Sequence, residues 1–396
     1  MKAGQNGNGK VVIAGAGPAG SSLAIRLARA GRDVCLIERA RFPRHKLCGE
    51  FISPECLGHF RDLGVLYSLK LANGDHIRKT VFYSMAGSSA EVPSEWFSGY
   101  GGEAMGLSRA EMDHRLLEAA KTAGADVIEG ASVSGAVVED GRIAAVEVRF
   151  EDDRRETLEG SVFIDATGRQ RVLAKYSAGK KKQTEPNSPS LVGFKAHFSD
   201  VDMEPGRCEI YFFPGGYGGL SYVEGGSANH CFLITSDKAR EFGGDADAIL
   251  DALILRNPRA LETLGKAERQ MDWLAVAVRG FGARELNPVP NLFAVGDSAA
   301  FIDPFTGSGM LMALESSELL AGALRSGDLR TAAERYAGSH RTRFRTRLRI
   351  CAVMRRLSFS PRLASFAVYA AGLSSGFRRK IASATRKGVP GKVLSP

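Results

Sequence analysis

Three glycines near the N-terminus have the spacing of a dinucleotide-binding turn. Gly15, Gly17 and Gly20 follow the apolar run 11–14 and precede a helical pattern. In such a turn the first glycine allows a tight bend, the second lets the backbone approach a diphosphate, and the third lets helix and strand pack closely. The N-terminus of the following helix favours the anion. The residues predicted to form this cradle are Gly15, Ala16, Gly17, Pro18, Ala19 and Gly20.

An acidic residue indicates the kind of nucleotide. Residues 33–37 read as the next buried strand, which ends at Glu38, followed by Arg39. A carboxylate here accepts hydrogen bonds from both hydroxyls of an adenosine ribose and repels a 2′-phosphate. We therefore expect an unphosphorylated ribose beside Glu38, with Arg39 in the same site.

Two later segments favour a flavin over a nicotinamide. The strand-like run 162–165 leads into a small-residue turn, and the run 291–295 ends in Gly-Asp at Asp297. Asp297 offers an acceptor for ribityl hydroxyls, and a Gly-rich helix start at 307–310 offers N–H groups where a reduced flavin ring gathers negative charge. The sequence therefore predicts FAD. The further FAD contacts predicted along the chain are Val133, Thr167, Gly168, Gly296, Asp297, Pro304, Thr306, Gly307, Ser308, Gly309 and Met310.

The most specific pattern spans residues 41–50, Arg-Phe-Pro-Arg-His-Lys-Leu-Cys-Gly-Glu. It is similar to the F-P-R-x-K-x-C-G signature of FAD-dependent oxidoreductases with the p-hydroxybenzoate hydroxylase fold, in their geranylgeranyl-reductase-like branch. The resemblance runs from residue 11 to about 330 and includes the segments 107–109, 166–168 and 303–309. It implies that Arg109 contacts FAD phosphate or ribityl oxygens. It also implies that Lys46, Cys48 and Gly49 border the flavin and that residues 304–309 cover its ring.

The resemblance is weaker in the segment expected to meet the substrate. The reductase branch carries a Y-x-W-x-F-P stretch, whereas residues 209–214 here read Glu-Ile-Tyr-Phe-Phe-Pro. The substrate class therefore stays open between an isoprenoid and a polyketide-like molecule, and a lipophilic small molecule is expected in either case.

Catalytic candidates come from nucleophilic and acidic side chains near these motifs. Cys48 is predicted to contact flavin or substrate, with a small buried residue as the alternative. Tyr211 is the second candidate, although alternation along a strand equally predicts sheet core. His45, His197 and His230 are candidate proton donors that are more often structural.

The FAD motifs leave the reaction open. Reduced flavin could pass a hydride to a C=C bond of the substrate, with a nearby acid supplying the proton. The same cofactor could instead support a monooxygenase that hydroxylates an aromatic or polyketide substrate through a flavin hydroperoxide. NAD(P)H or a reductase partner would be the electron source. A halogenase would need a W-x-W-x-I-P-like stretch, in which neither Trp96 nor Trp273 lies. An electron-transfer flavoprotein is the non-enzymatic alternative.

These motifs require an α/β, two-domain (α+β) architecture with a Rossmann-like FAD-binding domain, a β-rich substrate domain and a helical C-terminus. The FAD-binding domain is predicted at 1–70, 106–180 and 276–330. The substrate domain is predicted at 71–105 and 181–275, and a basic helical region at 331–396.

Charge is distributed unevenly along the 396 residues. The net charge is +9, yet residues 335–396 hold 15 Lys or Arg and no acid, while the first 334 residues carry 38 basic and 44 acidic groups. Basic residues alternate with apolar ones from Arg341 to Arg356, which predicts a basic amphipathic helix. We expect peripheral membrane contact through 335–396, with packing on the acidic body as the alternative. No recognition motif indicates nucleic-acid binding.

Six cysteines lack CxxC pairs, which argues against a zinc site or a disulfide scaffold. The first ten residues do not resemble a signal peptide, and the apolar run 363–373 is too short to span a bilayer. We therefore expect a cytoplasmic protein without a bound metal, of undetermined oligomeric state.

Overall fold

The computed structural model describes residues 9–97, 102–177 and 191–386. The strands are β1 (Val11–Ala14), β2 (Val34–Glu38), β3 (Phe51–Ile52), β4 (Asp75–Ile77), β5 (Lys79–Tyr83), β6 (Ser89–Pro93), β7 (Ala104–Gly106), β8 (Asp126–Glu129), β9 (Ala131–Glu139), β10 (Arg142–Phe150), β11 (Arg155–Glu159), β12 (Val162–Asp165), β13 (Leu191–Ser199), β14 (Arg207–Phe213), β15 (Gly216–Tyr222), β16 (Ala228–Thr235), β17 (Glu268–Arg269), β18 (Leu274–Val278), β19 (Gly282–Ala283), β20 (Leu292–Ala294) and β21 (Ala300–Phe301). The helices are α1 (Pro18–Arg29), α2 (Pro54–Asp62), α3 (Leu66–Lys70), α4 (Arg109–Thr122), α5 (Val172–Ser177), α6 (Ser236–Glu241), α7 (Ala246–Ile249), α8 (Pro258–Leu264), α9 (Gly309–Leu324), α10 (Leu329–Ser358), α11 (Pro361–Leu373) and α12 (Ser375–Arg386).

A five-stranded parallel sheet forms the first half of the molecule, in the order β20-β12-β1-β2-β8. Its central strands β1, β2 and β12 are buried along their whole length, as expected for strands covered on both faces. Helix α1 packs between α4 and α9 on one face. Strands β9–β11 form a separate antiparallel sheet, and buried residues of β9 and β10 pack in one core with those of β1, β2 and β12. This confirms the predicted Rossmann-like fold class.

Ser108 and Glu111 have the sequence spacing of a capping box, and the start of α4 differs from that motif in one detail. Ser108 caps the helix by accepting a hydrogen bond from the Glu111 backbone N–H at 3.1 Å. The reciprocal bond is not made, because the Ser108 N–H donates to Glu224 at 2.8 Å and the Glu111 carboxylate accepts from Arg115. The cap therefore ties α4 to the second domain.

The second half is built on a large sheet in the order β17-β13-β16-β15-β14-β5-β6, with β18 also paired to β13. Neighbouring strands are antiparallel, except that β14 runs parallel to β5. Because successive side chains of a strand point to opposite faces, alternate residues of β14 face opposite sides of this sheet. The domain ranges expected from the sequence stay a prediction. Strand β18 pairs with β13 over residues 274–278 and so crosses the predicted boundary between residues 275 and 276.

Three C-terminal helices complete the fold. The 30-residue helix α10 packs on α9, where Glu315 pairs with Arg343 at 2.6 Å and with the fully buried Arg347 at 2.7 Å. Helix α11 then contacts β6 and β14 of the second domain. Part of the basic tail thus packs on the body, whereas Arg341, Arg345 and Arg349 are exposed. No helix in the described ranges is both long and apolar enough to cross a membrane.

Candidate cofactor site and active site

One cavity of about 1580 Å³ runs between the two sheets and the C-terminal helices. Residues of the glycine turn line one end, and residues of β14, α10 and α11 line the other. The volume exceeds that of an ordinary small-molecule site. It can therefore accept a large cofactor and a substrate side by side.

The glycine turn has the close approaches that its spacing predicts. Gly15 has a φ of +100°, and a Cβ there would meet the Ala166 carbonyl oxygen at 2.5 Å. A Cβ on Gly20 would lie 1.8 Å from the Gly15 carbonyl oxygen. Gly17 precedes α1, and in the part of the chain that the structure describes no side chain caps this helix. Its N-terminal N–H groups are therefore free to meet a diphosphate.

Glu38 ends β2 with its carboxylate at the edge of the cavity. Its Oε2 accepts a hydrogen bond from the Ala16 N–H at 2.9 Å, and its Oε1 accepts one from the Ala40 N–H at 3.2 Å. These bonds hold the carboxylate in place beside the glycine turn. Each carboxylate oxygen has a second lone pair for a ribose hydroxyl.

Cationic side chains gather along the same end of the cavity. Arg109 pairs with the fully buried Asp113 at 2.6 Å, and Arg44 pairs with the same carboxylate at 2.9 Å. Burial in the cavity wall, with the nearby Arg44 and Arg39, lowers the pKa of Lys46 to about 8. The Arg44 Nε is buried without a hydrogen-bond partner among the described residues. A site with this excess of positive charge is suited to a diphosphate.

A second set of loops positions Asp297. The buried Asp165 at the end of β12 accepts hydrogen bonds from Thr167 and from Ser298, at 2.6 and 3.0 Å, and so joins the two turns. Gly296 packs against α1, since a Cβ there would lie 2.8 Å from Ala19. Asp297 follows and lines the cavity. Burial raises the pKa of Asp297, while Arg169 and Arg109 oppose that rise.

Most predicted FAD contacts lie on the cavity wall. The lining includes Gly15, Gly17, Pro18, Ala19, Glu38, Arg39, Lys46, Cys48, Gly49, Arg109, Val133, Thr167, Gly168, Gly296, Asp297, Pro304, Thr306, Gly307, Gly309 and Met310. Three predicted residues support the wall from behind. The Ala16 N–H donates to Glu38, and Gly20 packs against the Gly15 carbonyl beneath the turn. Ser308 is fully buried directly before α9. The glycine cradle, the cations and Asp297 together fit FAD.

Behind the Lys46–Gly49 segment lies a buried ionic cluster that sequence reasoning missed. The fully buried Glu50 accepts hydrogen bonds from Lys195 and, at 2.7 Å, from the Arg109 N–H. His197 Nε2 lies 2.7 Å from its other oxygen. Burial raises the pKa of Glu50, but the bonds from His197 and Lys195 outweigh this and keep its pKa below the ordinary value.

The cluster bears directly on the catalytic candidates around Cys48. Cys48 lines the cavity, and its Sγ accepts a hydrogen bond from the Glu50 N–H at 3.4 Å. His45 also lines the cavity, with its ring edge against His197. Burial, Lys195 and His197 lower the pKa of His45. Cys48 and His45 are thus in reach of a ligand.

Two other candidates lie away from the cavity. Tyr211 is fully buried on the opposite face of β14, where its hydroxyl donates to Glu209 at 2.7 Å and lies 2.8 Å from Thr263. His230 is buried, and burial lowers its pKa to about 4. Strand alternation explains Tyr211, because Ile210 and Phe212 face the cavity instead. The placement of Tyr211 gives it no contact with a ligand in this cavity.

Another tyrosine, Tyr217, has a more reactive setting than Tyr211. Tyr217 lines the cavity, and its hydroxyl donates to Asp303 Oδ1 at 2.6 Å. Asp303 Oδ2 is buried without a hydrogen-bond partner among the described residues. Burial raises the pKa of both groups. The signal for this pair was Asp303 itself, in the motif that precedes the Gly-rich helix start.

The far end of the cavity is apolar. It is lined by aromatic and aliphatic side chains of the sheet and of the C-terminal helices, among them Phe82, Phe212, Phe305, Met354, Ala364 and Val368. Val353 and Leu357 also line it and are 56% and 38% exposed, so they lie where it opens to solvent. This end suits a long lipophilic molecule.

Among the described residues no cluster of His, Cys, Asp and Glu has the arrangement of a metal site. A Rossmann-like domain with this cradle, facing a β-rich domain across one cavity, defines a two-domain flavoprotein oxidoreductase. The chain belongs to the FAD-binding domain family, whose model matches residues 8–334. The predicted FAD cofactor and the predicted family resemblance are thereby confirmed.

Two of the similar proteins are named as reductases. The chain is 30% identical over 352 residues to a menaquinone reductase of Mycobacterium tuberculosis, covering 81% of this chain and 77% of the relative. It is 28% identical to a digeranylgeranylglycerophospholipid reductase of Methanosarcina mazei, covering 79% and 74%.

Solved structures share the fold at lower identity. A geranylgeranyl bacteriochlorophyll reductase-like protein of Thermoplasma acidophilum superposes with a TM-score of 0.79 at 20% identity, covering 97% of both chains. A flavin-dependent brominase does so with a TM-score of 0.75 at 18% identity, covering 95% and 92%. The fold therefore accommodates more than one flavin reaction.

Proposed function

We propose that this FAD-dependent oxidoreductase reduces a C=C bond of an isoprenoid lipid. The observation that carries the proposal is one continuous cavity, which joins a dinucleotide cradle to a long apolar arm. Two relatives named as reductases of menaquinone and of digeranylgeranylglycerophospholipid support this choice. The departure from the Y-x-W-x-F-P stretch does not oppose it, because Tyr211 faces away from the cavity and Glu209 is paired with Arg259.

The residues of the cradle would hold the cofactor. The N-terminus of α1 and the cations Arg44, Lys46 and Arg109 would bind the diphosphate, while Glu38 and Asp297 would bind ribose and ribityl hydroxyls. Bound FAD, once reduced, supplies a hydride to an electrophilic carbon. NAD(P)H or a reductase partner is proposed as the electron source, in a cytoplasmic setting where the cysteine thiols stay reduced.

Saturation of a C=C bond also needs a proton at the second carbon. The Tyr217 hydroxyl holds an exchangeable proton at the cavity wall, 2.6 Å from Asp303 Oδ1. Burial raises the pKa of Asp303 and of Tyr217, which favours their protonated forms. We assign the proton transfer to Tyr217 Oη, whose hydroxyl Asp303 Oδ1 orients and which solvent protons restore after each turnover.

The reaction is tested with full-length FAD-loaded protein, reduced anaerobically by dithionite and mixed with digeranylgeranylglycerophospholipid. Mass spectrometry of the extracted lipid is expected to show gain of paired hydrogens without oxygen present. A lipid that stays unchanged without oxygen and gains an oxygen atom in air would overturn the reductase and establish the monooxygenase.

The proton donor is tested by Tyr217→Phe, with Tyr222→Phe as the matched control because the Tyr222 hydroxyl donates to the Val201 carbonyl, outside the cavity. Loss of a general acid lowers kcat by about 10²- to 10⁴-fold. Tyr217→Phe is expected to show this loss with FAD absorbance retained, and Tyr222→Phe is expected to turn over normally. Equal rates in the two variants would remove Tyr217 from the mechanism.

A further inference from the structure

Helix α11 is apolar on both of its sides. Its inner side consists of small residues, of which Ala364, Ala367, Val368 and Ala371 line the cavity. Its outer side carries Leu363, Phe366, Tyr369 and Leu373, whose exposed fractions are 49, 71, 56 and 72%. A helix that is apolar all round is ordinarily buried on all sides. Among the residues that the structure describes, the outer side of α11 therefore lacks the apolar partner expected from its composition.

This outer side is part of a larger patch. Eleven large apolar residues of the described chain are exposed, and six of them lie between Val353 and Leu373. Val353 and Leu357 belong to the last turns of α10, beside the opening of the cavity. Contiguous exposed apolar surface of this kind marks an interaction site.

Basic side chains surround the patch. Arg345, Arg349 and Arg356 are exposed along α10, Arg362 begins the outer side of α11, and Arg379 is exposed on α12. No acidic residue follows Glu334 in the sequence. In the described part of the chain these five arginines form no ion pair, in contrast to Arg343 and Arg347. An apolar patch with a basic rim matches an anionic lipid surface in both polarity and charge.

We propose that the outer side of α11 docks the protein on an anionic bilayer surface. Phe366 and Leu373 enter the boundary between headgroups and acyl chains, and the arginines of α10, α11 and α12 contact the headgroups. Docking places the opening at Val353 and Leu357 against the lipid. If the proposed function holds, a lipid chain then enters the apolar arm without crossing water.

The experiment is vesicle flotation of full-length FAD-loaded protein with phosphatidylglycerol–phosphatidylcholine vesicles and with pure phosphatidylcholine vesicles. The wild type is expected to float with the anionic vesicles only. The double variant Phe366→Glu, Leu373→Glu is expected to lower the vesicle-bound fraction about tenfold or more, because two large apolar groups leave the lipid. The matched control is Leu71→Glu, Leu261→Glu, whose side chains are 59% and 55% exposed elsewhere.

Retained FAD absorbance and an unchanged melting temperature check that each variant is folded. Wild-type protein that stays at the bottom with anionic vesicles overturns the proposal, as does a Phe366, Leu373 double variant that floats like the control. Light scattering that shows a wild-type dimer and a monomeric variant would assign the face to a second copy and also overturn it. Flotation needs no turnover, so its failure is distinct from failure of the proposed reaction.

Discussion

At the residue scale, Glu38 shows how a backbone contact prepares a ligand contact. Its carboxylate is held by the N–H groups of Ala16 and Ala40 before any ribose arrives. A side chain already fixed in the bound geometry loses little entropy on binding. Its position is therefore as important as its charge.

Glu38→Ala is expected to weaken FAD binding by about tenfold to a hundredfold, since it removes charge-assisted hydrogen bonds and leaves the Ala16 N–H unpaired. The FAD-to-protein absorbance ratio after gel filtration measures retention. Glu91→Ala, on the exposed Lys79 pair of the second domain, is the control. Full flavin occupancy in Glu38→Ala would contradict the ribose assignment.

Glu50 and Lys195 form the most buried ion pair of the site, with both side chains inaccessible to solvent. Lys195→Met leaves the Glu50 carboxylate without its main counter-charge. Breaking such a pair costs about 3–5 kcal/mol. The variant is expected to lose this much unfolding free energy at neutral pH, measured by urea denaturation, whereas Lys79→Met is expected to change it little because that pair is partly exposed.

The difference in unfolding free energy between Lys195→Met and the wild type should also depend on pH, in a direction that the pKa of Glu50 determines. In the wild type the pKa of Glu50 lies below its ordinary 4.5. Its contribution to stability is therefore complete above pH 4.5 and is lost as the pH falls through the folded-state pKa. Without Lys195, burial acts with less opposition and raises that pKa. The stability gap between variant and wild type should narrow on acidification, and a gap independent of pH would contradict this account.

Local spacing predicted the cradle but not this cluster. Gly15, Gly17, Gly20 and Glu38 lie within one βαβ unit, so their relation follows from the periodicities of strand and helix. Lys195 and Glu50 are 145 residues apart in the sequence. Nothing in the pattern around either residue indicates the other, since their meeting depends on how the second domain packs on the first.

At the element scale, α10 is attached to the body through Glu315 of α9. Arg347 is 1% exposed and has this carboxylate as its counter-charge. Glu315→Gln is expected to cost about 3–5 kcal/mol of unfolding free energy, because a buried guanidinium loses its partner. Glu318→Gln on the same helix is the matched control, since its half-exposed side chain pairs with the His59 ring. Equal melting temperatures of the two variants would contradict this role.

The tail also shows what composition could and could not predict. The even spread of arginines from 341 to 349 predicted one basic helix with two alternative partners. In the structure Arg343 and Arg347 pack on the body, whereas Arg341, Arg345 and Arg349 are exposed to solvent, and membrane contact stays a prediction. The run 363–373 was recognised as apolar and too short to span a bilayer. That its two sides face a cavity and solvent depends on the packing of α11 against β6 and β14.

At the scale of the whole molecule, both halves and the C-terminal helices contribute to the wall of one cavity. Its wall draws on the five-stranded parallel sheet, on the large sheet of the second half and on α9–α12. A cofactor that binds only the folded protein stabilises every part that it touches. FAD at about 100 times its Kd should add about 2.7 kcal/mol.

Removal of FAD is therefore expected to lower the melting temperature of both domains in one transition, measured by scanning calorimetry of holo- and apoprotein. Re-addition of FAD to the apoprotein should restore the transition, while AMP alone should restore less of it. A transition of the second domain that stays at the same temperature with and without FAD would show that the two halves unfold independently.

The length of α10 limits which insertions and deletions this chain can accept during evolution. The middle of α10 packs on the first turns of α9, which border the cofactor end of the cavity, and the last turns of α10 border the opposite end. Each residue added to a helix rotates the downstream part of the chain by about 100° and advances it by about 1.5 Å. A single-residue insertion near the exposed Arg345 would turn the α11 side chains that now line the cavity toward solvent. The exposed positions in the middle of α10, among them Arg341, Arg345 and Arg349, should thus tolerate many substitutions in related chains, whereas the helix should tolerate almost no change in length.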